Sequence, residues 1–322
     1  MNVLVTGGAG YIGSQVCKAL AKSGYAPIVY DNLSTGHAHA VKWGPLVLGD
    51  LSDRKKLRET CALYRPQAAF HFAADALVGE SVINPAKYYR NNTSNSLILL
   101  EELREAQVPH LIFSGTCAVY GNPQFLPLTE EHPLAPINPY GRSKLMIEQM
   151  LQDFDTAYGL KYVTLRYFNA AGADLELEIG EDHTPETHLL PSLVQAALKI
   201  RDEMVIYGSD FSTKDGTAVR DYIHVQDLAE AHLLALRFLM EQKKSMTFNL
   251  GTGTGTSVRE LLEAVQSHGR FKFPVRMVER RAGDPPILVA SAERANKLLG
   301  WTPKHSDLKT LISSAWKWHE QL

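Results

Sequence analysis

The chain has 322 residues, a formal net charge of −2 and 45% apolar residues. This composition is typical of a globular protein with a real core, and it excludes long-range attraction to nucleic acid or to an anionic membrane surface. Three cysteines, with no Cys-x-x-Cys pair, favour a reducing compartment. We find no leader pattern and no apolar run of membrane-spanning length, so we expect a cytoplasmic protein without nucleic-acid or membrane partners.

The first predicted element is an apolar strand, Val3–Val5, which leads into a turn with three glycines. A helix pattern from Ser14 to Lys22 follows the turn. In a dinucleotide-binding turn, Gly7 permits the turn, Gly10 lets the backbone approach a pyrophosphate, and Gly13 lets the helix pack closely on the strand. The phosphates would then meet free N–H groups at the positive end of the helix.

A second predicted strand, Pro27–Tyr30, ends in Asp31, eighteen residues after Gly13. An acid at this position accepts hydrogen bonds from an adenosine ribose and repels a 2′-phosphate. We therefore predict NAD rather than NADP as the cofactor. The alternative is an ordinary strand-turn-helix unit with an aspartate on its surface.

Further strands and helices alternate along the first half of the chain. The predicted strands are Pro45–Leu48, Ala68–Ala74 and Leu111–Phe113, and the predicted helices run from 52 to 64 and from 85 to 106. This alternation predicts an α/β fold with a doubly wound, Rossmann-like parallel sheet, which binds ligands at the carboxyl ends of its strands. Asp50 follows one of these strands. It could meet an adenine amino group or cap the next helix, and both alternatives stay open.

We expect Tyr140 and Lys144, which are four residues apart, to carry out the catalytic proton transfer. On a helix they lie on one face, one turn apart, and the region from about Ser143 onward has helix-forming character. A neighbouring ammonium and a positive nicotinamide both favour the phenolate form of a tyrosine. Tyr140 is therefore a candidate proton acceptor from a sugar or alcohol hydroxyl.

The second half of the chain predicts a smaller α/β lobe. We expect a nucleotide-binding domain over residues 1–172 and a substrate lobe over 173–322, with segments such as 219–250 returning to the first domain. The histidine pairs His37/His39 and His183/His188 lack the i, i+4 spacing of a helical zinc pair, so the sequence predicts no metal site.

Several motifs together resemble the extended short-chain dehydrogenase/reductase family. Within that family, the chain is similar to the UDP-glucose 4-epimerases nearly from end to end. The motifs are Thr6–Gly13, Ser114 to Gly121, Tyr140-x-x-x-Lys144, Arg166–Asn169, Gly180–Asp182, Asp215–Thr217, Val219–Val225 and Arg280–Pro285.

This resemblance implies roles for individual residues. Thr116 would hydrogen-bond the sugar O4 beside Tyr140, and Lys144 would bond the nicotinamide ribose. The implied cofactor-binding residues are Gly7, Gly10, Tyr11, Ile12, Gly13, Asp31, Asn32, Asp50, Leu51, Phe72, Ala73, Ala74, Asn91, Ser114, Tyr140, Lys144 and Tyr167. The implied substrate-binding residues are Thr116, Tyr140, Asn169, Leu189, Tyr207, Arg220, Arg281, Asp284 and Leu288. A homodimer is also implied.

Two positions depart from the pattern of some family members. Ala76 stands where those members carry a lysine near the pyrophosphate, which predicts weaker retention of the dinucleotide. Leu288 stands where some members narrow the sugar pocket with a tyrosine. Leucine leaves more room, so we expect N-acetylated hexoses to be accepted as well.

The activity implied is a 4-epimerase that interconverts UDP-galactose and UDP-glucose through a transient 4-keto sugar with bound NAD. One alternative is a UDP-uronate 4-epimerase or decarboxylase. A 4,6-dehydratase needs an acid pair directly after the threonine, where this chain has Cys117 and Ala118. A dinucleotide-sensing regulator would not need the pair Tyr140 and Lys144.

Overall fold

The computed structural model describes residues 1–281 and 284–322. Residues 282 and 283 of the Arg280–Pro285 motif lie outside the described residues. In chain order, the described strands are β1 (Asn2–Thr6), β2 (Ala26–Asp31), β3 (Leu46–Leu48), β4 (Ala68–His71), β5 (His110–Ser114), β6 (Lys161–Arg166), β7 (Asn169–Ala171), β8 (Met204–Tyr207), β9 (Val219–Arg220), β10 (Tyr222–His224), β11 (Met246–Asn249), β12 (Thr256–Ser257), β13 (Val275–Val278) and β14 (Ile287–Leu288).

The described α-helices connect and cover these strands. They are α1 (Tyr11–Lys22), α2 (Arg54–Tyr64), α3 (Val78–Ile83), α4 (Pro85–Tyr88), α5 (Asn95–Glu105), α6 (Pro139–Tyr158), α7 (Leu189–Ala197), α8 (Val225–Gln242), α9 (Val258–Gly269), α10 (Glu293–Leu299) and α11 (Leu308–His319). Among the described residues, we find no helix that combines the length and the apolar character needed to cross a membrane.

A seven-stranded parallel sheet forms the centre of the fold, in the order β11-β6-β5-β4-β1-β2-β3. Side chains alternate between its faces, as the two-residue period of a strand requires. Val3 and Val5 pack towards α1 and α8, whereas Leu4 packs towards α2, α5 and α6. The predicted doubly wound, Rossmann-like α/β fold is therefore confirmed.

The later part of the chain divides between two cores. Helix α8 and strand β11 join the large sheet, because Leu228 and Phe248 lie in the same core as β1. Helices α7, α9 and α11 enclose a separate apolar core that includes Leu193 and Leu261. Around this smaller core lie β8 paired with β13 and the three-stranded sheet β12-β9-β14. The boundary at residue 172 stays a prediction.

Helix α6 begins at Pro139, four residues before the predicted start. Asn138 caps the helix by accepting a hydrogen bond from Gly141 N at 2.8 Å, and a proline occupies the first turn. An asparagine cap followed by proline is a favoured helix start, because the first-turn N–H groups lack helical acceptors. Tyr140 and Lys144 therefore lie on consecutive turns of one helix, as predicted.

Two other local predictions differ from the structure. The helix expected from 85 to 106 is interrupted by a π-helical turn, Tyr89–Ser94, of a kind that often occurs at functional sites. The helix after Asp50 is capped by Asp53, which accepts from Lys56 N. Asp50 instead accepts hydrogen bonds from Ser52 N and Oγ, so its predicted alternative role as a cap is wrong.

A buried ion pair holds α6 against the end of β6. Arg166 Nε donates to Glu148 Oε1 at 3.0 Å, and its second terminal nitrogen pairs with the other carboxylate oxygen. Arg166 also donates to the Tyr120 hydroxyl at 2.9 Å. Both charged side chains are at least 95% buried, so each depends on the other for neutralisation.

We expect Glu148→Gln to lower the free energy of unfolding by about 3–5 kcal/mol, because the guanidinium of Arg166 would remain buried without its anion. Glu101→Gln, in the exposed pair with Arg54, is the matched control and should change stability by less than about 1 kcal/mol. Urea unfolding of both variants measures the difference. Equal midpoints for the two variants would contradict this account of the ion pair.

Candidate active site

A cavity of about 740 Å³ lies at the carboxyl ends of the sheet strands and extends towards the smaller core. Every site residue predicted from the sequence lines it. On the cofactor side these are Gly7, Gly10, Tyr11, Ile12, Gly13, Asp31, Asn32, Asp50, Leu51, Phe72, Ala73, Ala74, Asn91, Ser114 and Tyr167; at the predicted reacting centre they are Thr116, Tyr140 and Lys144; on the substrate side they are Asn169, Leu189, Tyr207, Arg220, Arg281, Asp284 and Leu288.

The glycine turn after β1 forms a cradle of backbone that excludes side chains. Gly7 has φ +73°, and a Cβ there would lie 2.5 Å from Ala73 N. A Cβ on Gly13 would lie 2.2 Å from Gly7 O. The first intrahelical bond of α1 runs from Ser14 N to Gly10 O at 2.9 Å, which leaves the preceding N–H groups of the helix without intrahelical acceptors. This cradle fits a pyrophosphate.

Asp31 is buried beside the cradle and is fixed by the backbone. Its two carboxylate oxygens accept from Ala9 N at 2.9 Å and from Leu33 N at 2.8 Å. Each oxygen keeps a further acceptor position, which suits a pair of ribose hydroxyls. Nearby, Asn32 donates to Asp50 at 2.7 Å. Burial acts to raise the pKa of Asp50, but hydrogen bonds from Ser52 and Asn32 outweigh it and lower the pKa.

Lys144 lies buried in the wall of the cavity. Its ammonium donates to Ser114 O at 3.0 Å and lies 4.9 Å from the centre of the Phe113 ring. Burial lowers the pKa of Lys144 to about 8, although the carboxylate of Glu148 acts in the opposite direction. The side chain is therefore an ammonium that its surroundings solvate poorly.

Tyr140 is partly buried on the same face of α6. Burial raises the pKa of its hydroxyl, and a hydrogen bond with Thr116 acts to lower it. Burial prevails in the protein alone, so formation of the phenolate needs additional positive charge. A nicotinamide cation bound in the cavity would supply such a charge.

Several residues that the sequence analysis missed support this centre. The Tyr88 ring packs edge-on against Tyr140, with the ring centres 6.4 Å apart. The buried Asn92 side chain, in the π-helical turn, accepts from Asp75 N at 2.9 Å and donates to Ser143 Oγ at 3.1 Å. It thus joins the segment after β4 to helix α6. The polar pair Asn91-Asn92, in an otherwise helical pattern, is the sequence feature that could have indicated this role.

The substrate side of the cavity carries two guanidinium groups. Arg220 pairs with Asp284, and the guanidinium of Arg281 lies 3.9 Å from the centre of the Tyr207 ring. Strand β14 places Leu288 in register with Arg220. Ala76 also lines the cavity, and the nearby ammonium of Lys87 is paired with Glu80 at 2.8 Å.

A group of charged side chains at the edge of the cavity was not predicted from the sequence, and three of its four members line the cavity. Glu181, His183, Glu186 and His188 come together in the loop before α7, although their spacing is not helical. Burial acts to lower the pKa values of both imidazoles. The carboxylates outweigh it and raise the pKa to about 9 for His183 and about 10 for His188.

Comparison with known proteins assigns the chain to a family. The description of the matching family model is NAD dependent epimerase/dehydratase family, and the match spans residues 3–251. The chain belongs to this family. A UDP-glucose 4-epimerase of Rhizobium meliloti is 51% identical over 320 residues, which cover 99% of this chain and 97% of the relative.

Solved structures give the same result. The UDP-glucose 4-epimerase from Brucella ovis in complex with NAD is 53% identical, with a TM-score of 0.94 and coverage of 98% of this chain and 97% of that one. The UDP-Glc/GlcNAc 4-epimerase from Campylobacter jejuni is 41% identical, with a TM-score of 0.86 and coverage of 100% and 99%. The resemblance to UDP-glucose 4-epimerases and the prediction of NAD are both confirmed.

The pKa of Lys144 predicts a pH-dependent stability difference between the native chain and Lys144→Met, both freed of nucleotide. The folded lysine, with a pKa of about 8, releases its proton before the unfolded one, with a pKa of 10.5. Between these values the unfolded state binds more protons, so stability rises with pH. We expect the native chain to gain about 2 kcal/mol relative to the variant between pH 7.5 and 9.5. Urea unfolding measures this, and parallel pH profiles would contradict the assignment.

Proposed function

We propose that this chain is a UDP-hexose 4-epimerase that interconverts UDP-galactose and UDP-glucose through a transient 4-keto sugar, with NAD as a bound cofactor. The observation that carries the proposal is the placement of Tyr140 and Lys144 in the wall of the cavity that also contains the glycine cradle. The names of the relatives that align over nearly the whole chain support the same activity.

The cofactor would be held by the chain's own groups at both ends. The backbone of Gly10 to Gly13 would bind the pyrophosphate, Asp31 the adenosine ribose, and Lys144 the nicotinamide ribose. NAD, when bound, supplies the group that accepts the C4 hydride of the sugar and returns it. The residues around the nicotinamide must therefore exclude water. They have to transfer only the proton of the C4 hydroxyl.

Tyr140 would accept that proton from the C4 hydroxyl and return it after inversion. Thr116 would hold the sugar O4 beside the tyrosine hydroxyl. The ammonium of Lys144, together with the positive nicotinamide, would lower the pKa of Tyr140 in the complex. This arrangement is general acid-base catalysis by one tyrosine that acts in both directions.

Inversion at C4 requires the hexose to present its other face, while the nucleotide stays bound. Most binding contacts should therefore fall on UDP, where Arg220 and Arg281 would neutralise the diphosphate. Asn169, Leu189, Tyr207 and Asp284 would complete the nucleotide site. Weak contacts to the hexose allow it to turn.

The observations do not favour the rival activities. Cys117 is fully buried and Ala118 is apolar, so neither replaces the acid pair of a dehydratase. None of the relatives named above is described as acting on a uronate. A regulator without turnover would gain nothing from placing Tyr140 and the buried Lys144 side by side in the cavity wall.

We expect Tyr140→Phe to lower the turnover of UDP-galactose by at least about 100-fold, because phenylalanine cannot move the proton. Tyr158→Phe, on the exposed face of the same helix, is the matched control and should keep full turnover. NAD released from the denatured variants measures cofactor content, which should stay at the native level. Retained turnover in Tyr140→Phe would exclude its role as the proton acceptor.

We also propose that the sugar pocket accepts UDP-N-acetylhexosamines. The side chain of Leu288 lines the cavity, and the Campylobacter jejuni relative is described as a UDP-Glc/GlcNAc 4-epimerase. A leucine leaves space for an N-acetyl group that a tyrosine would fill.

Leu288→Tyr should lower kcat/KM for UDP-N-acetylgalactosamine by at least about tenfold relative to UDP-galactose, because a lost fit in a pocket costs about 1–3 kcal/mol. Leu288→Met, which conserves volume, should leave the ratio near the native value. Rates on the two substrates measured side by side give this ratio. An unchanged ratio in Leu288→Tyr would mean that this position does not select the sugar.

Finally, we propose that the chain forms a cytoplasmic homodimer through α5 and α6. Leu97 and Met146 are 38% and 41% exposed on these adjacent helices, which suits an apolar contact between two copies. The three cysteines are buried free thiols, in keeping with a reducing compartment.

A further inference from the structure

Four side chains with metal-ligating atoms converge in the loop between β7 and α7. They are the carboxylates of Glu181 and Glu186 and the imidazoles of His183 and His188. One ligand atom from each lies within 4.8 Å of the others. Both carboxylate side chains are at least 96% buried. The mechanism proposed above gives none of the four a task.

The distances between these atoms fit one small cation. Glu181 Oε1 lies 2.7 Å from His188 Nδ1 and 3.4 Å from His183 Nδ1. Glu186 Oε1 lies 3.3 Å from His188 Nδ1, and Glu186 Oε2 lies 3.7 Å from His183 Nδ1. A tetrahedral ion with bonds of about 2.0–2.1 Å needs ligand atoms about 3.3–3.4 Å apart. Two of the four distances already have that value, and the other two differ from it by about 0.3–0.7 Å.

The carboxylate of Glu186 is oriented before any ion binds. Its Oε1 accepts from Thr187 N at 2.7 Å and from His188 N at 2.8 Å. Its Oε2 is buried and has no hydrogen-bond partner among the described residues, and the same is true of His183 Nδ1. A buried oxygen and a buried nitrogen that face each other without a hydrogen-bond partner are typical of a position that binds a ligand.

The backbone of the loop is also anchored on both sides of the cluster. Trp318 Nε1 donates to Glu181 O at 2.9 Å, and Arg201 donates to Glu186 O at 2.8 Å. His188 stands at the first position before α7, so the cluster is rigidly connected to a helix. A site on such fixed elements costs little reorganisation when an ion binds.

We propose that Glu181, His183, Glu186 and His188 bind one Zn²⁺ ion per chain. Two imidazole nitrogens and two carboxylate oxygens form a tetrahedral donor set that zinc accepts, whereas magnesium and calcium prefer oxygen ligands alone. The ion carries two positive charges and neutralises the two buried carboxylates. Zinc binding replaces the protons on the imidazoles that pair with these carboxylates in its absence.

Zinc would act as a structural ion at this position. It would fix the loop of residues 181–188 against the start of α7, beside the cavity wall formed by Leu189. Because the ion binds the folded chain, it should raise the temperature of unfolding, and the stabilisation grows with the logarithm of the ratio of free zinc concentration to Kd. This inference does not depend on the proposed epimerase activity.

The test is titration of the full chain, loaded with NAD and freed of metal by a chelator, with Zn²⁺ followed by isothermal calorimetry. We expect one ion per chain and a higher unfolding temperature in its presence. His183→Gln and Glu186→Gln should each weaken binding by at least about tenfold, since each removes a direct ligand. X-ray absorption at the zinc edge should show nitrogen and oxygen ligands at about 2.0–2.1 Å.

His39→Gln is the matched control, because His37, His39 and Asp182 form a neighbouring and more exposed cluster. This variant should keep one zinc ion with the native affinity. Loss of binding in His39→Gln, with normal binding in His183→Gln and Glu186→Gln, would overturn the proposal. Absence of zinc uptake by the folded native chain would overturn the proposal as well. Unfolding curves of the variants show whether a variant that does not bind zinc is still folded.

Discussion

The burial of one ammonium group constrains the rest of this structure. Lys144 is 97% buried, with Ser114 O and the face of Phe113 as its close polar and aromatic contacts. Such burial is unfavourable for a charge, and it lowers the pKa of the lysine. The same burial makes the charge effective, because an ammonium in a poorly solvated cavity acts strongly on its neighbours. Tyr140, one helical turn away, is the neighbour whose pKa the charge of Lys144 would lower in the complex.

The sheet is what makes this burial possible. Strand β5 carries Phe113 and Ser114 beneath the ammonium, while the Asn138 cap and the Arg166–Glu148 ion pair fix α6 above them. Two strands away, the turn after β1 packs so closely on the segment after β4 that Gly7 tolerates no Cβ. The glycine turn after β1 and helix α6 thus face one cavity at the carboxyl ends of parallel strands. Ligand binding at this edge is the general rule for open α/β sheets.

Sequence reasoning succeeded where local patterns and packing agree. The large sheet was predictable because its strands bury continuous apolar runs. Many of the predicted site residues line the cavity because they follow the carboxyl ends of those strands, while their roles stay predictions. It failed where the backbone departs from regular periods. The π-helical turn around Asn92 has no periodic signal, and the cap Asn138 was overlooked beside two prolines. Glu181, His183, Glu186 and His188 come together in a loop. The i, i+4 spacing that identifies ligands on a helix therefore could not reveal this cluster.

The measurement that tests the central claim most directly is proton NMR of UDP-galactose incubated with the purified protein in D₂O, without added NAD. The account predicts a plateau mixture of UDP-galactose and UDP-glucose that is reached from either sugar. It also predicts that C4 of the product keeps its original hydrogen, because the hydride that leaves C4 returns to it within the closed cavity. Deuterium at C4, or no conversion even after NAD is supplied, would contradict the account.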